Sequence, residues 1–419
     1  MKNMAPKISN ITLENYRAFR HEHKISINNL TLFFGYNNTG KSALIRLFQL
    51  LKDSFSNRKP PCFTKSYLDY SSASIRGALF KQLTTQNERR LSFGLDWDTG
   101  DSINFSLSQT GLDPEVMNKL RITLNGAISE YHPSIEDTSK LENKSDSTEQ
   151  VSFYNFRLQN APEFNELIDS FSNSIHWISS VRNHPPRKFE VGIGIPINLM
   201  PNGDGIGPLI WYLNETQSDS IYDINQWLEK TCNRKFDFVD DMGSVEGRKF
   251  VTLETVNVEQ LVQEGNSQAI RTPILDSGEG IAQALPVVVL SAMAANGELG
   301  DNPIIAVEQP ELHLHPQATV DLANFLITCI KKNKNVRYIL ETHSESFLRA
   351  IQIAIVEESI KTDEISCYWI AKDDNCSTPN AVNFDHNGFI TSSWPQGVFR
   401  ETLNQSKELV QLRKNKESE

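Results

Sequence analysis

The feature that most constrains this 419-residue chain is the loop GYNNTGKS at residues 35–42. It fits the pattern G-x-x-x-x-G-K-[ST], and it lies between a continuous apolar run at 30–34 and apolar residues at helical spacing in 43–52. In such a unit the glycines let successive backbone N–H groups point at one centre, where they bind phosphate oxygens at the positive end of the helix. We therefore predict a phosphate-binding loop. A glycine-rich turn without a ligand is the alternative.

The residues of this loop have separate expected roles. We expect Lys41 to reach the β- and γ-phosphates of a nucleotide, and we expect the hydroxyl group of Ser42 to bind Mg²⁺. The other loop residues would present backbone N–H groups to the phosphates. The full set of expected ATP-binding positions in the loop is Asn37, Asn38, Thr39, Gly40, Lys41 and Ser42.

A second apolar run, at residues 304–307, is followed directly by Glu308, Gln309, a proline and Glu311. A carboxylate at the carboxyl end of a parallel strand faces the ligand crevice, so Glu308 is expected to bind Mg²⁺ directly or through water. The alternative is an exposed strand end. Gln309 can orient water but is a poor base, so we expect slow hydrolysis or assistance from another group such as Glu311.

A third apolar run, at residues 336–340, precedes the segment ETHS, and we expect its His343 to contact a γ-phosphate. Two other patterns are weaker. The turn DSGEG at 276–280 could present N–H groups to a phosphate. His313 and His315 could bind a metal, although hydrogen-bonded loop histidines are the simpler interpretation.

The arrangement of apolar runs along the chain predicts an α/β fold with a parallel core. Short alternating strands precede the phosphate loop, and further strands are expected at 91–97 and 103–107, with helices near 281–293 and 320–330. We divide the chain into four parts, with an exposed loop expected at about 134–150 and a frayed polar tail expected from residue 404. The four parts are an N-terminal part with the phosphate loop at 1–107, an inserted region at 108–270, a second core part at 271–360, and a small C-terminal domain with the tail at 361–419.

Composition restricts the partners and the compartment. The formal net charge of −11 argues against a globally basic nucleic-acid-binding surface, although Arg182, Arg187 and Lys188 near His184 form a local basic cluster. No apolar stretch is long enough to span a membrane, and residues 1–10 lack the core of a secretion signal. Five scattered cysteines form neither a disulfide framework nor a CxxC pair. We expect a cytoplasmic protein without membrane contact.

In this order, the motifs resemble an ABC-type ATPase head of the SMC, RecF and OLD kind. The resemblance covers 8–52 and about 275–350. Its matching segments are ITLENYRAFR, LTLFFGYNNTGKSALIRLF, SGEGIAQALPVVV, IIAVEQPELHLHP and YILETHSE. The resemblance implies an ABC/SMC-like α/β head with a mixed, parallel-core sheet, an antiparallel N-terminal lobe and an inserted helical or mixed region.

The resemblance also implies a mechanism, because such heads dimerise head to tail around two ATP molecules. The phosphate loop and Glu308 of one subunit would hold each nucleotide, and Ser277, Gly278 and Gly280 of the other subunit would close over its γ-phosphate. The segment SGEGIAQALPVVV resembles the signature region of these heads but departs from the usual LSGGQ. Gln82 is a working assignment for the Q-loop glutamine. The implied catalytic residues are Glu308, Gln309, Glu311 and His343, and the implied metal-binding residues are Ser42 and Glu308.

Two further segments, IHWISSVRNHPPRKFE and FDHNGFITSSWPQGVFRE, resemble a prokaryotic AAA subgroup with an EQPE acidic motif and a C-terminal WP-x-G-x-F domain. That subgroup includes antiphage-defence ATPases related to Septu and Gabija. The residues after YILETHSE show no acidic DxD cluster, so the resemblance implies that the chain gates a separate effector, such as a nuclease encoded nearby. It also implies a homodimer or higher homo-oligomer. DNA or RNA is a further expected ligand. A RecF-like DNA-repair ATPase and a non-hydrolysing, ATP-bound scaffold stay open as alternatives.

Overall fold

The computed structural model builds the chain from three β-sheets with helices between and outside them. The residues that it describes are 5–56, 66–86, 88–111, 113–133, 140–143, 150–154, 156–158, 161–192, 198–245, 248–264, 269–373, 376–392, 394–395, 398–399 and 407–408.

The strands and α-helices are numbered in chain order. The strands are β1 Ile8–Glu14, β2 His23–Ser26, β3 Leu30–Gly35, β4 Arg90–Trp97, β5 Ser102–Ser108, β6 Val116–Leu124, β7 Ala127–Pro133, β8 Lys140–Asn143, β9 Gln150–Tyr154, β10 Arg157–Leu158, β11 Ile175–Ile178, β12 Lys188–Val191, β13 Arg234–Val245, β14 Arg248–Asn257, β15 Arg271–Pro273, β16 Ile304–Glu308, β17 Arg337–Glu341, β18 Ile365–Asp373 and β19 Cys376–Val382. The helices are α1 Lys41–Phe55, α2 Phe80–Leu83, α3 Pro162–Ser174, α4 Ile206–Glu215, α5 Asp219–Cys232, α6 Val258–Glu264, α7 Glu279–Ala295, α8 Pro316–Lys332 and α9 Glu345–Val356.

The central sheet has six strands in the order β11-β16-β17-β3-β18-β19, and all of them run parallel except β19. Every residue of β3 is buried, as expected for a continuous apolar strand that is covered on both faces. The carboxyl ends of β16, β17 and β3 lie at one edge of this sheet. There Glu308 is the register partner of Glu341, and Glu341 is the register partner of Phe33.

The second sheet has nine antiparallel strands in the order β10-β9-β8-β7-β6-β5-β4-β1-β2, and α1 lies between it and the central sheet. Apolar side chains of α1, such as Leu47 and Phe48, share one core with Leu13 of β1 and Ile339 of β17. The opposite face of the central sheet is covered by α4, α5, α7, α8 and α9, which form a second core. A small third sheet joins β12, β14, β13 and β15.

The structure confirms the predicted α/β class, the antiparallel N-terminal strands, the parallel strands at the three apolar runs, and the helices expected at 43–52, 281–293 and 320–330. The expected division at residue 107 is not seen, because β5 and β6 are paired neighbours in the nine-stranded sheet. A register shift after Ser106 interrupts the pairing of β5 and β6, which obscures the alternation from which a strand is recognised.

Two other expectations need correction. The part from residue 361 is not a separate domain throughout, because β18 pairs in parallel with β3 and belongs to the central sheet. The expected loop at about 134–150 contains β8, whereas residues 134–139 and 144–149 lie outside the described residues. Most of the expected tail also lies outside them. None of the described helices is long and apolar enough to cross a membrane.

Acidification should destabilise the fold through His176 on β11. Burial, and secondarily the charge of Lys52, lowers the pKa of His176 to about 4. Between the ordinary histidine pKa and this value, the unfolded chain binds a proton that the folded chain does not, so stability falls as the pH falls through this window. The loss from this residue amounts to at most about 3 kcal/mol between pH 7 and pH 4.

The measurement is urea unfolding at a series of pH values, followed by tryptophan fluorescence. His176→Gln should reduce the dependence of the unfolding free energy on pH, and His21→Gln, at an exposed position, should leave it unchanged. Equal pH dependence in wild type and His176→Gln would contradict the assignment.

Candidate functional site

The loop between β3 and α1 has the backbone shape that a phosphate site requires. Gly40 is the N-terminal cap of α1 at a φ of 95°, a left-handed conformation that favours glycine. A Cβ atom at this position would lie 3.0 Å from a ring carbon of Phe19, so a side chain would also be crowded. Asn38 has a φ of 62°. The chain therefore turns back above the N-terminus of α1, where free N–H groups face the loop.

Lys41, the first residue of α1, is almost fully buried, and its ammonium group lies within the loop. Its Nζ donates a hydrogen bond of 2.6 Å to the carbonyl oxygen of Tyr36, which also accepts a 2.9 Å bond from the hydroxyl of Thr39. Burial lowers the pKa of Lys41, and the charge of Glu341 opposes this effect. A buried cation whose hydrogen bond is to a loop carbonyl is suited to contact phosphate oxygens by a side-chain movement alone.

Glu308, at the end of β16, is 1% exposed and is bound by three side chains. Arg46 of α1 donates from Nε to Oε1 at 2.7 Å and from a terminal nitrogen to Oε2 at 2.5 Å, which makes a bidentate ion pair. Trp177 and Ser180 donate to the same carboxylate at 3.2 and 3.3 Å. The structure thus places Glu308 at the predicted edge, with both of its oxygens engaged. Its role as a metal ligand stays a prediction.

Glu341, at the end of β17, is the second buried carboxylate at this edge, and the sequence analysis assigned it no role. It is 4% exposed, and it accepts a hydrogen bond from the Ser42 side chain of the phosphate loop. Burial raises the pKa of Glu341, whereas Ser42 and the charge of Lys41 lower it. Its position between Glu308 and β3 follows from strand order, which an isolated sequence pattern does not give.

Glu311 and His343 meet beside this edge. One oxygen of Glu311 accepts 2.9 Å hydrogen bonds from the hydroxyl of Thr342 and from the backbone N–H of His343. Burial raises the pKa of Glu311. Burial, followed by the charge of Lys41, lowers the pKa of His343 to about 4, so its imidazole is neutral at pH 7. The structure therefore brings Glu311 and His343 together near the phosphate loop.

Gln309 follows Glu308 at a φ of 48°, an unusual conformation for a residue other than glycine. Its N–H donates to the carbonyl of Glu341 at 2.9 Å, and its carbonyl accepts a 3.0 Å bond from Arg182. Arg182 also donates to three other carbonyl oxygens, those of Ser179, Gln283 and Glu308. Arg182 thus fixes the backbone that carries Gln309.

This position of Arg182 changes the interpretation of the predicted basic cluster. Arg182 is 5% exposed, and burial lowers its pKa to about 10. Arg187 is exposed and pairs with Asp276 at 2.9 Å. The cluster therefore does not form a continuous basic patch, because its first member is directed into the protein.

A cleft of about 840 Å³ opens beside the phosphate loop. The loop residues Asn38 and Gly40 line it, and so does Gln82, the working assignment for the Q-loop glutamine. The basic residues among its described lining are Arg17, Arg20, Arg46, Arg76 and Lys372, against one acidic residue, Glu88. Such a cationic cleft fits a polyanionic ligand such as a nucleoside triphosphate.

The Ser277 to Gly280 segment is absent from the described lining of this cleft. It leads into the N-terminus of α7, where Gly278 has a φ of 108° and open space around it. Ser277 already contacts the hydroxyl of Thr255 at 3.0 Å. A Cβ atom on Gly280 would lie 2.3 Å from the carbonyl oxygen of His313, so this glycine is required for close packing whether or not it binds a phosphate.

The two loop histidines form no metal centre in the described part of the chain, where groups of at least three potential protein ligands are absent. His315 caps α8 by accepting the N–H of Gln317 at 3.3 Å, and His313 lies 3.8 Å from a carboxylate oxygen of Glu279. These contacts agree with the simpler interpretation of hydrogen-bonded loop residues.

Trp394 and Phe399 of the C-terminal WP-x-G-x-F motif pack against Phe34, next to the phosphate loop, which the sequence did not predict. The ring of Trp394 lies 5.6 Å from that of Phe34 on β3 and 5.1 Å from that of Trp369 on β18, between ring centroids. Tyr36 of the loop stacks edge-on against Trp369 at 5.4 Å. Aromatic packing thus supports the strand that carries the phosphate loop.

Most of the chain resembles known proteins. The family model described as "AAA domain, putative AbiEii toxin, Type IV TA system" matches residues 30–349. The chain is 21% identical over 372 residues to the Old nuclease of Escherichia phage P2, and the alignment covers 83% of this chain but only 58% of that protein. The chain thus spans little more than half the length of this relative.

Two solved structures also align with most of this chain. The Smc head bound to the C-winged helix domain of ScpA covers 90% of this chain and 98% of its own, at 10% identity and a TM-score of 0.48. The SMC head domain from Thermotoga maritima covers 90% and 99%, at 10% identity and a TM-score of 0.41.

The buried Arg46–Glu308 ion pair should be essential to stability. Arg46→Ala would leave the Glu308 carboxylate buried without its cation, which typically costs roughly 3 to 5 kcal/mol of unfolding free energy. The matched control is Arg349→Ala, which removes an exposed pair with Glu345 and should cost less than about 1 kcal/mol. Urea unfolding of both variants measures the difference. Similar small losses in the two variants would show that Arg46 does not compensate Glu308.

Proposed function

The chain belongs to this AAA-domain family, and we propose that it is a slowly hydrolysing, ABC-type ATPase that assembles around ATP and regulates a partner effector. One observation carries the proposal. Lys41 and Ser42 of the phosphate loop lie at the sheet edge where Glu308 and Glu341 end adjacent parallel strands. Residues about 265 or more positions apart in the chain thus lie together, and their side chains are of the types with which a phosphate loop binds a triphosphate and a divalent cation.

In the proposed mechanism, the residues around the phosphate loop have separate tasks. Lys41 leaves the carbonyl of Tyr36 and binds phosphate oxygens, and the N–H groups at the start of α1 hold the same phosphates. Ser42 and a buried carboxylate of this sheet edge would hold Mg²⁺, which would supply positive charge to the phosphate oxygens. His343 stays neutral because its pKa is about 4, so its imidazole can donate a hydrogen bond to the γ-phosphate without adding charge.

Slow hydrolysis follows from the residues that surround the attacking water. Gln309 can orient water but cannot take a proton from it. Glu311 is the carboxylate of the same loop, and burial raises its pKa, which increases its basicity. However, one of its oxygens is already bound to Thr342 and His343. We therefore expect Glu311 to support a low rate of turnover.

Assembly is proposed to place the N-terminus of α7 of one subunit over the nucleotide of the other. Gly278 supports this arrangement, because open space surrounds it at the positive end of a 17-residue helix. Ser277 and Gly278 lie outside the described lining of the cleft in their own subunit, so a contact with a phosphate would come from a second copy.

The effector is proposed to be a separate protein with nucleolytic or otherwise toxic activity, in a prokaryotic antiphage-defence system. The family description, which names a toxin, and the similarity to a protein named as a nuclease both support this output. The buried Arg182 and the net charge of −11 give no support to direct DNA or RNA binding by the predicted basic cluster. Turnover that is stimulated by DNA alone would favour the RecF-like alternative instead.

ATP should drive assembly through the phosphate loop. Wild-type chain should bind ATP in calorimetry and shift from a smaller to a larger species in light scattering when Mg²⁺ and ATP are added. Lys41→Ala should lose most of the affinity and all of the shift, because it removes the buried cation of the loop. Lys52→Ala, at the other end of α1, is the control and should retain ATP binding. Unchanged ATP affinity in Lys41→Ala would refute the assignment.

Gln309 should limit the rate of hydrolysis. Gln309→Glu introduces a base at the expected position of the attacking water and should raise the turnover number about 10-fold or more, within the usual range for general-base catalysis. Glu311→Gln should reduce the wild-type rate. Phosphate release under saturating ATP measures both effects. Fast wild-type turnover that Gln309→Ala abolishes, with Glu311→Gln silent, would contradict the assigned roles.

A further inference from the structure

The two buried carboxylates at the edge of the central sheet are in different electrostatic states. Glu308 and Glu341 are register partners on adjacent parallel strands, whose backbones lie about 4.8 Å apart. Two like charges on neighbouring strand ends in a buried site disfavour each other unless cations compensate them. How each carboxylate is compensated therefore decides which of them can accept a further cation.

Glu308 is already compensated within the chain. Arg46 binds both of its oxygens, and Trp177 and Ser180 add two further hydrogen bonds. A divalent cation that bound Glu308 directly would have to displace a bidentate guanidinium from a side chain that is 1% exposed. The displaced Arg46 would then need another anion. These contacts suit Glu308 to holding Arg46 in position.

Glu341 is not compensated to the same extent. Its Oε2 is buried and has no hydrogen-bond partner among the described residues, and the residue is only 4% exposed. Ser42 donates a hydrogen bond to the Glu341 carboxylate, and the positive charge of Lys41 acts on the same carboxylate.

The position of Glu341 matches the phosphate loop more closely than that of Glu308. Glu341 lies on the strand next to β3, whereas Glu308 lies one strand further away. The serine at the position of Ser42 is the one whose hydroxyl binds Mg²⁺ in phosphate loops. A carboxylate oxygen, a hydroxyl oxygen, phosphate oxygens and waters make the all-oxygen set that Mg²⁺ prefers.

We propose that Glu341, together with Ser42, binds the divalent cation of the nucleotide, and that Glu308 holds Arg46. This inference rests on the proposed function, because it requires a nucleotide on the phosphate loop. Glu341 ends β17, whereas the cation ligand expected from the sequence, Glu308, ends β16.

Calorimetry with a non-hydrolysable ATP analogue tests the inference, with titrations in Mg²⁺ and in EDTA. Wild type should bind more tightly in Mg²⁺. Glu341→Gln should lose at least about 10-fold of this gain while it still binds in EDTA, because it removes the ligand but leaves the loop intact. Glu308→Gln retains an amide oxygen that can accept from Arg46, so it should lose less of the gain than Glu341→Gln. Glu345→Gln, at a partly exposed position at the start of α9, is the control and should behave as wild type.

The outcomes separate the two proposals. Absence of binding by the wild type in both Mg²⁺ and EDTA would overturn the proposed function and this inference with it. Binding with a full Mg²⁺ gain in Glu341→Gln would overturn the inference alone. Loss of the gain in Glu308→Gln, with Glu341→Gln unaffected, would return the cation to the acidic strand.

A metal-preference exchange gives a second readout that a structural role would not produce. Glu341→Cys places a thiolate at the proposed ligand position, so Cd²⁺ should restore tight nucleotide binding and Mg²⁺ should not. Glu308→Cys is the matched variant and should show no Cd²⁺ gain. Equal responses of the two variants to Cd²⁺ would contradict a specific role for Glu341.

Discussion

The burial of two neighbouring carboxylates at one edge of the central sheet is the constraint on which the site depends. Glu308 and Glu341 end adjacent strands in register, and neither charge is stable there without a nearby cation. Both cations, Arg46 and Lys41, belong to α1, which lies between the two large sheets. The charge pairing therefore fixes how this helix faces the strand ends. The phosphate loop that precedes the helix is placed at the same edge.

The central elements could be predicted because their signals are local. A continuous apolar run indicates a buried parallel strand, and the glycines and Lys41 of the loop have a known relation to phosphate. The partner of Glu308 could not be predicted, because Arg46 is 262 residues away and its spacing carries no signal. The role of Glu341 depends on which strand lies beside β3. The structure revealed this strand order, as it did the place of β18 on the other side of β3.

Other residues had an apparent meaning in the sequence that the structure changed. Gly280 appears in a turn that resembles a phosphate-binding signature, but its close approach to the carbonyl of His313 is sufficient to explain a glycine. Arg182 looked like part of a surface cluster, but it is buried and binds four carbonyl oxygens. A one-letter pattern does not distinguish such packing and positioning roles from ligand contacts, because burial depends on segments far away in the chain.

The same contacts connect the nucleotide site to the proposed assembly surface. Gln309, Glu311 and His313 lie on one loop after β16, and that loop contacts Glu341 and the residues after β17. Its His313 also packs against Gly280 at the start of α7. A change at Lys41 and Glu341 can therefore reach the helix end that is proposed to meet a second subunit. These continuous contacts favour a switch in which the state of the nucleotide site controls association.

The most direct test of the central claim is a crystal structure of the chain with Mn²⁺ and a non-hydrolysable ATP analogue. The account predicts the triphosphate on the N–H groups of residues 37–42 with Lys41 detached from Tyr36, and an anomalous manganese peak beside Ser42. A triphosphate bound elsewhere, with Lys41 still on the carbonyl of Tyr36, would contradict it.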